Sequence, residues 1–115
     1  MLKIALQENG YNIDTFTNPI IALEHLLKNH DKYKLLISDY RMPYLNGCEL
    51  VTKVKELNGN IKMIIMSAYD SIEDKNILNF EVLRKPFILQ KLLDTINVSL
   101  NNNAKASLLT RIDAI

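Results

Sequence analysis

Three apolar runs in this chain each break off at a residue able to do chemistry. Leu35-Leu36-Ile37-Ser38 is closed by Asp39, Ile61-Lys62-Met63-Ile64-Ile65-Met66 by Ser67, and the shorter Val82-Leu83 leads to Lys85-Pro86. Short, continuous apolar runs read as strands buried on both faces, as in parallel sheets covered by crossover helices. Between them the periodicity turns helical, so strand and helix alternate and the class is α/β. In an open sheet of that kind the acting groups lie just outside the carboxyl ends of the strands. The acid, the hydroxyl and the amine are therefore expected to converge on one site.

The rest of the chain keeps the alternation. Met1 to Gln7 reads as the last turns of a helix, with Leu2, Ala5 and Leu6 on one face and Asn9-Gly10 as its stop. Tyr11 to Phe16 alternates like a strand at a sheet edge. Asn18-Pro19 supplies an N-cap and a first-turn proline to a helix with a buried stripe of Ala22, Leu23, Leu26 and Leu27, ending near Asn29-His30. Asn46 with Glu49 three residues on has the form of a capping box, and Leu50, Val54 and Leu57 face inward before Asn58-Gly59. A weaker helix spans Ser71 to Phe80, and a final one spans Ile88 to Leu100 with Leu89, Leu92, Leu93 and Ile96 inward. Asn101-Asn102-Asn103 then breaks the pattern, which divides the chain into a domain over residues 1–100 and a tail over 101–115.

Composition narrows the function classes. The 115 residues are 48% hydrophobic, enough for one domain with one core. Lys+Arg 14 against Asp+Glu 13 gives a net charge of +1, so no global field draws the chain to nucleic acid or to a membrane surface. The lone Cys48 excludes an internal disulfide and fits a reducing cytoplasm; as a residue it reads as a small, half-buried helix position. No apolar stretch approaches the length of a membrane span.

Taken in order, Asp39…Met42-Pro43…Asn46-Gly47, then Ser67-Ala68, then Lys85-Pro86-Phe87 resembles the receiver domain of two-component response regulators, from about Leu2 to about Leu100. The resemblance implies a flavodoxin-like (CheY-like) doubly wound parallel sheet of order 2-1-3-4-5. It implies that Asp39 is the phosphoacceptor, that Ser67 hydrogen-bonds the phosphoryl group and moves as part of a switch, and that Lys85 sets an ammonium against the phosphoryl oxygens. Arg41 and Tyr69, two residues beyond the acid and the hydroxyl, are implied to tune the lifetime of the acyl phosphate. It also implies Mg²⁺, held by Asp39, by the Arg41 backbone carbonyl and by an acidic pair at the end of a first strand.

Three departures accompany the likeness. Met1 opens where the family is already inside its first helix, so the first, central strand and its acidic pair are expected to be absent and Mg²⁺ binding to be weak. Val82 stands where an aromatic residue usually shares the switch, and the stretch from Ser67 to Lys85 is short for the family. Loss of a central strand leaves two backbone edges facing a gap, and buried unpaired N–H and C=O groups are costly. Three ways of closing the gap stay open: residues preceding Met1, a second chain through a homodimer or strand exchange, or entry of Ser107-Leu108-Leu109-Thr110-Arg111-Ile112-Asp113. The last follows the final helix with the correct hand and brings Asp113 towards Asp39, but Arg111 counts against it.

On this reading the chain is a signalling module rather than an enzyme. It accepts a phosphoryl group from a sensor histidine kinase or phosphotransfer protein and changes its surface for a downstream protein partner. The alternative is a degenerate receiver that binds partners without phosphorylation. An aspartyl-phosphate phosphatase needs a second acid two residues after the nucleophile, where this chain has Arg41. The residues after Leu100 are too few for a helix-turn-helix domain, so no direct contact with DNA is expected.

Overall fold

The computed structural model describes residues 2–42, 44–68, 80–100 and 107–112. In chain order the elements are α1 (Leu2–Glu8), β1 (Asn12–Phe16), α2 (Pro19–Asn29), a 3₁₀ turn (His30–Lys32), β2 (Leu35–Asp39), α3 (Gly47–Leu57), β3 (Lys62–Ser67), β4 (Glu81–Arg84), α4 (Leu89–Ser99) and β5 (Ser107–Ile112). The helix read over Ser71 to Phe80 lies outside the described residues except for Phe80, which is buried.

The five strands form one parallel sheet of order β1-β5-β2-β3-β4. The expected doubly wound architecture is present, and the gap is not. The tail expected from residue 101 supplies β5, which pairs with β1 on one side and β2 on the other. It lies inside the sheet, in the second place, between β1 and β2. A charged residue in such a strand is unfavourable, but two inner edges without ladder partners are worse.

Alternation along the strands sends side chains to two packed faces. Leu36, Met63 and Ile65 join Ala22, Leu26, Leu50, Val51 and Val54 under α2 and α3. Leu35, Ile37, Ile64 and Met66 join Leu6, Ile13, Leu92 and Ile96 under α1 and α4. Leu27 is 60% exposed and Leu89 41% exposed, so both fall off the inward stripes expected for them. Cys48, expected half-buried, is buried against the first face.

The helix starts follow the sequence signals. Asn18 Oδ1 accepts from Ile20 N at 2.8 Å, with Pro19 in the first turn of α2. At α3, Asn46 Oδ1 accepts from Glu49 N and Glu49 Oε1 accepts from Asn46 N, both at 2.9 Å, which completes the capping box.

Candidate functional site

Asp39 is the last residue of β2 and Ser67 the last of β3. Lys85 follows β4 directly. Because β2, β3 and β4 are parallel neighbours, their ends lie side by side, and the three residues meet as the spacing predicts. They line a cavity of about 200 Å³ with Tyr40, Arg41, Met66 and Ala68.

The charges inside it are paired. Asp39 is 5% exposed and Ser67 3% exposed. The Lys85 ammonium reaches Asp39 Oδ1 at 2.5 Å and keeps its outer side in water. A charge buried this deep is costly unless it is paired, and Lys85 is the partner. The Lys85-Pro86 peptide is cis.

Backbone hydrogen bonds extend the ladders one step past the strands and fix the rim. Tyr40 N donates to Met66 O at 2.9 Å, and Lys85 N donates to Ser67 O at 2.7 Å. Gly47 N, at the start of α3, donates to Tyr40 O at 2.6 Å and ties that helix to the end of β2. A Cβ on Gly47 would lie 3.0 Å from Tyr40 Cα and 3.2 Å from the Ile65 side chain, so the close approach favours glycine. Ser38 Oγ donates to Asp39 O at 2.9 Å and lies 3.3 Å from Met42 Sδ, which pins the loop that carries Arg41. Tyr40, Gly47 and the Ser38–Met42 contact are supports that residue-type reasoning misses. The one signal for them is the Asn46-Gly47 pair, read as a helix start but not as a close approach.

Arg41 lines the cavity from an exposed position, and Val82, in the place of the usual aromatic, is half-buried. Tyr69, Pro43 and Asp113 lie outside the described residues.

Mg²⁺ takes near-octahedral oxygen ligands, usually with one or two carboxylates among them. Among the described residues no three His, Cys, Asp or Glu side chains cluster to hold a metal. Among the described residues the cavity offers one carboxylate, already beside an ammonium, with a guanidinium at its rim. That donor set does not fit a divalent cation.

The sequence model of the response regulator receiver domain matches residues 1–97. The chain is 30% identical over 112 residues to a transcriptional regulatory protein, the CpxR homolog of Haemophilus influenzae, covering 93% of this chain and 47% of that one. It is 28% identical over 96 residues to the response regulator receiver protein CpdR of Brucella abortus, covering 80% and 78%. Among solved structures, chemotaxis protein CheY4 of Vibrio cholerae superposes with a TM-score of 0.76 at 26% identity, covering 86% of each chain. The receiver domain of a Francisella response regulator gives 0.71 at 30% identity, covering 89% and 86%. The chain thus spans between about a quarter and about half the length of the relatives named as transcriptional regulatory proteins, and 78% of the CpdR protein.

Proposed function

The chain belongs to the response regulator receiver domain family, and we propose that it accepts a phosphoryl group on Asp39 from a histidine kinase or phosphotransfer protein. The observation that carries this reading is a buried Asp39 held by Lys85 across a cavity shared with Ser67. An Asp39 carboxylate oxygen forms a new O–P bond while the P–N bond of a donor phosphohistidine breaks. The electron pair of that bond stays on the imidazole, which takes a proton from water. Lys85 then shifts its charge from the carboxylate to the phosphoryl oxygens, and the Ser67 hydroxyl donates to one of them. Arg41 limits water's access to the acyl phosphate, a role proposed for Tyr69 as well.

The family generally binds Mg²⁺ for phosphorylation. With one carboxylate in the described site, neutralisation rests on Lys85 and Arg41, so transfer is slow. The output is a changed surface for a downstream protein partner, with the chain working in the cytoplasm. Among the described residues no helix is long and apolar enough to cross a membrane.

The test is intact-mass spectrometry after incubation with a phosphorylated kinase or with acetyl phosphate. One phosphoryl adduct is expected, absent in Asp39→Asn and formed on the order of 10²-fold more slowly in Lys85→Gln, the scale of losing a preorganised donor. An adduct that persists in Asp39→Asn overturns the assignment. Val82 and the single carboxylate favour a second reading, a receiver that binds partners without phosphorylation. It requires that no adduct form and that Asp39→Asn leave partner binding unchanged.

A further inference from the structure

The interior strand β5 is also the most poorly registered of the sheet. β2 and β3 match without interruption from Leu35↔Lys62 to Asp39↔Met66, and β3 and β4 from Ile64↔Glu81 to Ser67↔Arg84. β5 breaks register on both sides. Against β1, the step from Asp14 to Phe16 answers the longer step from Leu109 to Ile112. Against β2, Leu36 and Ile37 are adjacent while their partners, Leu109 and Arg111, are not. Both ladders therefore accommodate one extra residue of β5 around Thr110. A bulge leaves that residue unpaired and disrupts the ladder locally, and bulges belong mostly to edges, not to the middle of a sheet. The register also sets Arg111 beside Ile37, whose side chain is fully buried. Yet no ladder joins β1 to β2 without β5. The slot needs a strand, and the strand in it is held by two short, interrupted ladders.

We propose that the groove between β1 and β2 is a strand-receiving site and that β5 exchanges between two copies of this chain, giving a reciprocal strand-exchanged dimer. A second copy carries the same slot and the same strand, so every pairing lost within one chain is regained between two, and two-fold symmetry closes the assembly. The six residues 101–106 joining α4 to β5 are polar or small, and such a segment extends to roughly 20 Å, several strand spacings. Main-chain pairing with an unfilled sheet edge is an established mode of association.

The register supplies the test. Asn12 and Ser107 are partners across β1 and β5, within the Cα separation that a disulfide spans. In full chains carrying Cys48→Ala, one preparation has Asn12→Cys and the other Ser107→Cys. The two are mixed, equilibrated at millimolar concentration and oxidised. A chain with both cysteines serves as the reference. The proposal expects a crosslinked species of twice the 13.2 kDa chain mass, made of one Asn12→Cys and one Ser107→Cys chain. Only the intrachain disulfide in the reference, with no cross-chain product in the mixture, overturns exchange. No disulfide in either sample overturns the slot assignment itself. Neither result bears on phosphorylation of Asp39.

Discussion

Lys85 stands against a carboxylate that is 5% exposed, so the pair is asymmetric: the acid needs the amine more than the amine needs the acid. Away from that site, a second buried hydroxyl has similar reach. Tyr33 donates to Asp14 Oδ2 at 2.5 Å, and its oxygen lies 2.7 Å from His25 Nε2. With the Tyr33 proton committed to Asp14, His25 is the donor in the second contact. Burial first, and Asp14 second, push the Tyr33 hydroxyl well above its ordinary value near 10. A group whose pKa rises on folding lends stability that is fully present below its unfolded value and lost as pH rises towards the folded one. Unfolding free energy is therefore predicted to fall above about pH 10. Tyr33→Phe flattens that fall and costs about 1 kcal/mol at neutral pH, measured by urea melts across the alkaline range. Gly47→Ala tests the close approach at the rim. A Cβ 3.0 Å from Tyr40 Cα meets backbone that cannot turn aside, so a loss of roughly 1–3 kcal/mol is expected despite alanine's better helix propensity. A gain in the urea midpoint would show that α3 shifts freely.

At the scale of elements, α3 connects cap, glycine and site, because its first residue bonds back to Tyr40 beside Asp39. Asn46→Ala removes one contact of the capping box and leaves the Glu49 N–H without its acceptor. The expected cost is about 1 kcal/mol, read as a lower thermal midpoint with unchanged denaturant slope. The local signals here were legible: Asn46 with Glu49, Asn18 with Pro19, and apolar runs ending at Asp39 and Ser67. Each depends on neighbours within a few residues. Leu27 and Leu89 were not placed correctly, because a stripe of leucines is wider than the face its helix buries. The tail was harder still. Ser107 to Ile112 carries Arg111, which argues against a central strand, and only the vacancy between β1 and β2 makes that position favourable. That vacancy belongs to the sheet as a whole and leaves no mark in the segment's own periodicity.

For the whole molecule, the sheet holds together through β5. A chain ended at Asn103 loses both ladders that join β1 to the β2-β3-β4 half. With each ladder hydrogen bond worth roughly 0.5–1.5 kcal/mol net, the loss is several kcal/mol of a total near 5–15, and the cooperative melt should be lost or fall sharply. A shortened chain that melts as cooperatively as the full one would mean that β1 and β2 pair directly. The site rests on the β2-β3-β4 half, since Asp39 and Ser67 end β2 and β3 and Lys85 follows β4. The decisive measurement is the location of the phosphoryl group. The full chain is treated with phosphorylated kinase, any acyl phosphate is reduced with borohydride to the corresponding alcohol, and the peptides are mapped by mass spectrometry. The predicted result is a single reduced residue at position 39. A folded chain that yields no reduced residue, or one reduced elsewhere, contradicts the assignment of Asp39 as the phosphoacceptor.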